Sequence, residues 1–533
     1  MTTLPDGAST VVIGAGSGGA AAAGLLAEQG EDVLLIEAGP DYGPFDRDAW
    51  PPELLDARAL PASHDWGIAC THGGRQVPLE RARVVGGCSA HNGCAVIWGS
   101  DHDYDGWAAA GNPGWSAAEL APVLARVHAR LRAVDYAADE ITPFHAACLE
   151  AAATLGWPLT DDLNRLDEDE GMAAFPVNIV DGVRWNAAFA YLDPVRESSR
   201  LRVCAHTLVD RVVLGNGATR VRGVDVIGGG ERRFIAADRV IVAGGTYLSP
   251  AILLRSGIGR PEELGPLGIE PLVRLPGVGR NLQDHPLVTI SYAGTPALEA
   301  RMRATDGWVP EEQTLAKLRS AECREAFDVH VAPIGGPVPG GGWRWDMTVG
   351  CLDPRSRGTV RLAAADAMAL PVVDNAFLTD DEGHDRRVLA DAVRLGRELA
   401  SAAPLAALLG SELPGPLPHD PTAVPAALDA VVSHYFHPCG TCAMGPDPDR
   451  GAVVDQAGRV HGVEGLLVAD CSLMPTIPRG NTALPAIAVA ERVVELLVAD
   501  RAAPIVASPQ DAAALASATA ARWPRGGADP PLR

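Results

Sequence analysis

A chain of 533 residues is too long for one small core and long enough for two lobes. Its 44 Lys and Arg against 67 Asp and Glu leave a net charge of −23, which excludes a phosphate-binding surface for nucleic acid or anionic membrane. Apolar residues at 47% and charged residues at 21% are ordinary globular composition, and a single lysine, Lys317, stands among arginines. The ten cysteines are scattered rather than framed, so reduced thiols are expected. No apolar run is long enough to span a bilayer, and no basic-then-apolar leader opens the chain. A cytoplasmic protein without a membrane span is expected.

In chain order, Val11–Ile13 reads as a first strand, Gly18–Gln29 as a helix that Gly30 ends, and Val33–Ile36 as a second strand. This is a βαβ unit and implies a parallel sheet. Further buried strands are expected at Val240–Ala243 and Leu466–Ala469, and a last helix over Thr482–Leu497. Nucleotide-domain signals at the start, middle and end require an inserted lobe. The expected fold is α/β: a Rossmann-like dinucleotide-binding domain with a discontinuous α+β substrate-binding domain. The expected boundaries are 1–290 for the first part of the cofactor domain, 291–444 for the substrate domain and 445–503 for the returning cofactor part. A tail follows over 504–533. The Gly/Pro-rich stretches Pro333–Gly342 and Leu413–Pro425 read as loops, the first as either a lid or a plain surface loop.

Gly14-Ala15-Gly16-Ser17-Gly18-Gly19 fits G-x-G-x-x-G between a strand and a helix. Its glycines allow a tight turn, backbone approach to a pyrophosphate and close helix–strand packing. The helix N-terminus offers free N–H groups to the phosphates. Glu37 ends the second strand before Ala38, where its carboxylate can accept from a ribose. The loop alone does not choose between NAD and FAD.

Five further blocks occur in order: Arg83–Asn92, Gly245–Gly259, Gly277–His285, His437–Gly445, and Val468–Asp470 through Met474-Pro475 to Asn481. Together they resemble the signatures of the glucose-methanol-choline (GMC) oxidoreductases. The resemblance implies bound FAD and oxidation of an alcohol by hydride transfer to flavin N5. It places Arg83, Val85, Gly86, Gly87, Asn92 and Gly93 along the flavin, Val209 at the adenine, and Asp470 near the pyrophosphate and ribityl end. An ordinary strand residue is the other reading of Val209. Asn481 and Thr482 lead into the last helix, whose N-terminus points at the flavin.

The run Gly-Gly-Cys-Ser-Ala-His-Asn is especially similar to the choline oxidase branch. There the histidine bonds to the flavin 8α-methyl, so His91 is the candidate tether. A histidine merely hydrogen-bonded near the ring is the alternative. His437 is the candidate base, because an imidazole can take the hydroxyl proton near neutral pH. The family's second His or Asn falls on Ala483, which has no side-chain donor or acceptor. Three readings stay open: another residue replaces it, the substrate carries its own polar group, or the reaction differs. Tyr435 and Phe436 read either as the wall of a pocket for a primary alcohol with an aromatic or apolar body or as core packing, reoxidation being left to oxygen or a carrier. A lyase, a photodecarboxylase and an electron-transfer flavoprotein are the alternative functions. Cys439-Gly440-Thr441-Cys442 is read as part of the family motif rather than a redox dithiol, and no metal site is expected.

Overall fold

Val11, Val12, Leu34, Leu35, Val240, Val242, Leu466 and Val468 are all 0% exposed, the pattern of strands covered on both faces. The computed structural model describes residues 5–502 apart from 168–169, 216, 306–307 and 339. The expected tail therefore lies outside the described residues. Strand β1 (Gly7–Ile13) turns at Gly14 into helix α1 (Ser17–Glu28) and returns as β2 (Val33–Ile36). β2 runs parallel to β1, with Val11 opposite Leu34 and Ile13 opposite Ile36.

β3 (Leu201–Cys204) extends the sheet beside β2. A meander follows: β4 (Thr207–Leu214), β5 (Val221–Gly228) and β6 (Glu231–Val242). β6 is long enough to do two jobs. Its first half pairs antiparallel with β5, and its second half pairs parallel with β1. After α2 (Gly245–Arg255), the chain leaves and returns as β7 (Leu466–Val468), parallel to the end of β6. Helix α3 (Ala483–Ala502) then packs against α1. The four strands expected from sequence all lie in this sheet.

The second sheet is antiparallel. Its strand order is Leu409–Glu412, Pro286–Gly294, Trp343–Cys351, Val329–Pro337, Thr314–Leu318 and Gly171–Ala174, with Ser433–His434 on the start of Pro286–Gly294. It begins ahead of residue 291 and draws one strand from the N-terminal part. The helix His384–Ser401 lays Val388, Ala392, Val393 and Leu399 on one face of it, against Ile290, Met347 and Val349. One expectation is corrected here. Pro333–Gly342 is not a free loop, because Val329–Pro337 pairs along its length with Trp343–Cys351. The prolines are tolerated because Thr314–Leu318 pairs only as far as Val331, which leaves an edge that needs no N–H.

Among the described residues no helix is long and apolar enough to cross a membrane, no group of His, Cys, Asp and Glu could hold a metal ion, and all ten cysteines are unpaired. Cys439 and Cys442 are fully buried.

The second and third glycines of the motif make different demands. A Cβ on Gly19 would lie 1.8 Å from the Gly14 carbonyl oxygen, whereas one on Gly16 meets only Gly87 Cα at 3.8 Å. Gly19→Ala is expected to cost about 3 kcal/mol, and Gly16→Ala less than about 1 kcal/mol. Denaturant melts followed by far-UV circular dichroism check this; equal losses would show that the Gly19 contact relaxes.

Candidate active site

A cavity of about 730 Å³ is lined by residues of both lobes. Every residue expected to touch the cofactor lines it except Gly19, Val85 and Gly86. These three act from behind: Gly19 packs on Gly14, Val85 is wholly buried, and Gly86 adopts φ 99° to start the Gly87–Ala90 turn.

At one end the chain presents a dinucleotide cradle. Gly16 and Gly87 face each other through bare backbone, since a Cβ on Gly87 would come within 2.4 Å of Gly16 Cα. No side chain caps the N-terminus of α1, so its first N–H groups stay free for phosphate oxygens. Glu37 is fixed by the N–H groups of Ala15 (2.9 Å) and Gly39 (2.8 Å), which leaves carboxylate lone pairs over for ribose hydroxyls. Burial pushes its pKa up, against the pull of those two hydrogen bonds. Val209 lines the cavity from β4. The carboxylate of Asp470 is committed to the fold: it accepts from Gly245 N (2.8 Å), Ser249 Oγ (2.5 Å) and Ser472 N (2.8 Å), tying α2 to the segment after β7. The donors, the cradle and the carboxylate fit the FAD that the motifs imply.

Further along, His91 Nε2 lies 2.8 Å from the Ser63 carbonyl oxygen. A carbonyl only accepts, so Nε2 carries the proton and Nδ1 keeps a lone pair. Burial lowers the His91 pKa, so the ring is neutral at pH 7.

His437 sits where two chain segments pair and one bulges. Pro286 pairs with His434 and Gln283 with Cys439, so the stretch around His437 is longer than its partner and buckles. Phe436 takes up the buckle at φ 64°. Asp284 accepts from His437 N at 3.0 Å and fixes the turn. The result is a direct contact between His437 Nδ1 and His285 Nδ1, 3.0 Å apart. On the other side, Asn481 Nδ2 lies 3.2 Å from His437 Nε2. Asn481, at the turn into α3, thus brings its amide onto the His437 ring. Ala483, the first residue of α3, lines the cavity beside it.

An amide N–H can only donate, so Nε2 accepts and Nδ1–H donates to His285. Burial lowers the His437 pKa well below the usual value, helped by His285, His330 and Arg81. His285 falls to about 3, through burial and then Arg479. Both rings are therefore neutral at working pH, and His285 stays an acceptor.

Three lining residues carried no sequence signal. Glu312 and Arg344 face the cavity from the second sheet, and Arg81 from the segment before the flavin signature. Burial raises the Glu312 pKa to about 7, with Glu311 adding to the rise and Arg344 opposing it. A Cβ on Gly93 would lie 3.2 Å from Glu312 Oε2, so this carboxylate stands directly over the cofactor segment.

The comparisons agree with this geometry. The N-terminal and C-terminal GMC oxidoreductase family models match residues 12–287 and 354–490. Human mitochondrial choline dehydrogenase is 34% identical over 92% of this chain and 90% of its own. Choline oxidase of Arthrobacter globiformis is 32% identical over 92% and 94%. The structure of pyridoxine 4-oxidase from Mesorbium loti superposes with a TM-score of 0.80 at 29% identity, over 92% of this chain and 99% of its own. A fungal aryl-alcohol oxidase shares the fold, with a TM-score of 0.75 at 23% identity. The chain belongs to the GMC oxidoreductase family, FAD-dependent enzymes that act on CH–OH groups.

Proposed function

We propose that the chain oxidises a primary alcohol bearing a cationic or N–H-rich group, with His437 as base and Glu312 as the anchor for that group. The observation that carries the reading is the pairing of one acceptor and one donor at the same point. His437 Nε2 and Asn481 Nδ2 lie 3.2 Å apart. A substrate hydroxyl that displaces the amide from Nε2 donates its proton there and accepts from the displaced amide. Asn481 thereby takes over the work that Ala483 cannot do. As Nε2 gains the proton, Nδ1–H stays bonded to His285, which holds the ring in place and disperses its charge. Bound FAD supplies the hydride acceptor.

The rest of the substrate lies against the second sheet. Leu287, Ile334, Tyr435 and Phe436 form an apolar wall that suits an aromatic or aliphatic body. Glu312 adds a carboxylate that accepts no hydrogen bond among the described residues, and such a group in a cavity seeks a donor. Choline and pyridoxine, after which two of the relatives are named, both carry nitrogen, which is consistent with a group of this kind. The lyase, photodecarboxylase and electron-transfer readings have no counterpart among the relatives named above.

We assign His91 as the flavin tether. The bond forms from Nδ1, the nitrogen that Ser63 leaves free, to the 8α-carbon. Bond formation there would release one proton from the methyl carbon, one from the imidazole and two electrons to the acceptor that reoxidises the flavin in turnover. Acid precipitation of the purified protein tests it: the yellow colour is expected in the pellet, and in the supernatant for His91→Ala. Flavin fully released from the parent protein would refute the tether.

The substrate assignment is read from flavin bleaching during anaerobic mixing with alcohols. A quaternary or protonated amino alcohol is expected to bleach the flavin at concentrations roughly tenfold to a hundredfold below its uncharged isostere. Because Glu312 ionises at about 7, affinity for a permanent cation should rise as pH climbs through 7. Glu312→Gln should abolish both the preference and that pH dependence. Equal half-saturation by charged and neutral isosteres in the parent enzyme would rule the anchor out while leaving alcohol oxidation standing.

A further inference from the structure

Among the groups that line the cavity, Arg81 stands apart because its guanidinium forms no salt bridge with a described residue and the carboxylate that acts on it, Asp284, does so only at a distance. Its Nη1 donates to the Phe436 carbonyl oxygen at 3.2 Å. Its Nε and Nη2 are out of reach of solvent and have no hydrogen-bond partner. Its guanidinium carbon lies 5.7 Å from the Tyr247 ring centroid. It forms no salt bridge with any described residue. A buried guanidinium normally satisfies its fork with a carboxylate or carbonyls, as Arg184 does here with the carbonyl oxygens of Asn92, Leu54 and Ala59. Arg81 keeps two donors idle in a cavity wall.

Its position says what the donors are for. Phe436 is the residue before His437, and Arg81 holds that carbonyl directly. Its charge is felt by both His437 and His91. Arg81 therefore stands beside the proposed base, at the redox end of the cavity. Glu37 and Val209 mark the other end. A substrate hydroxyl gives its proton to His437, and the carbon gives a hydride. The hydride carries two electrons and one net negative charge onto the cofactor, in a site from which water is excluded. The other arginines at this end have partners for their charge or their face: Arg83 donates to the Ala38 carbonyl oxygen and stacks on Trp66, and Arg344 pairs with Glu311 and Asp346.

We propose that Arg81 is the electrostatic partner of the charge the flavin acquires with the hydride, a catalytic residue for the GMC reaction in this chain. The assignment rests on the FAD site and not on the identity of the alcohol. It also explains why His437 is kept neutral. The same cation that favours negative charge on the cofactor opposes positive charge on the base, so the two effects must move in opposite directions when Arg81 is removed.

The test uses the holoenzyme and needs no alcohol for its main readout. Sulfite, an anion that adds to oxidised flavin and bleaches it, is titrated into parent, Arg81→Gln and Arg81→Lys proteins. A unit charge a few ångströms away in a partly screened site predicts a roughly tenfold to hundredfold weaker sulfite affinity in Arg81→Gln. The two-electron potential should fall by about 30–60 mV, the equivalent of the same factor. Arg81→Lys should stay near the parent. In Arg81→Gln the acidic limb of the alcohol kcat/KM profile should move to higher pH, as His437 is relieved of its neighbour. A purely structural arginine would change neither potential nor profile. Sulfite affinity and potential within twofold of the parent in Arg81→Gln would overturn the proposal, as would an equal loss in Arg81→Lys. Where Arg81→Gln fails to retain FAD, Arg81→His decides. Its sulfite affinity should weaken relative to the parent as pH rises and the imidazole loses its charge, and a constant ratio would refute the assignment.

Discussion

The contact on which the site depends is the 3.0 Å approach of two buried imidazoles, His437 and His285. It exists because the segment before Pro286 and the segment after His434 are paired at both ends and unequal in length between. The longer one buckles at Phe436, and the buckle aims His437 into the cavity. Everything chemical follows from that placement. Nδ1 is committed to His285, so Nε2 is the nitrogen that faces the reaction, where it accepts from the Asn481 amide until a hydroxyl takes that place. A histidine on a regular strand would have had its ring fixed by neighbours rather than by the reaction.

Burial gives the site its electrical character. His437, His285 and His330 are all held below the ordinary histidine range, principally by loss of solvent. Neutral imidazoles cost nothing to bury when hydrogen-bonded and can receive a proton for the moment it is needed. Two charged side chains are kept at the edges instead, Glu312 on the substrate side and Arg81 beside the base. Neither forms a salt bridge with a described residue, and each is thereby available to a charge that arrives. The dinucleotide end works by the opposite means, through backbone N–H groups and glycine gaps that carry no net charge.

Much of this was legible in the sequence, and the boundary has a physical basis. The parallel strands read clearly because full burial on both faces leaves runs such as Val33–Ile36 without any polar residue. The glycine loop read clearly because its demands are local: Gly14, Gly16 and Gly19 act within one turn. Pro333–Gly342 misled because proline is scored as a breaker, yet an edge position asks nothing of its missing N–H. The contact of Asn481 with His437 was not legible because spacing within a motif gives register and not direction, and the turn entering α3 swings its amide onto the ring. Glu312 and Arg81 could not be read at all. Their meaning lies in what they lack, a partner, and that is a property of the surrounding folded chain.

The central claim is that neutral His437 takes the hydroxyl proton at Nε2. It is tested most directly by the rate of anaerobic flavin bleaching at saturating alcohol, measured from pH 5 to 10 in the parent and in His437→Ala. With the His437 pKa held well below its usual value, the parent rate should show no acidic limb near pH 6.5. The variant should be slower by roughly a hundredfold to ten-thousandfold while still holding FAD. A variant within tenfold of the parent, or an acidic limb near pH 6.5 that survives the substitution, would contradict the account.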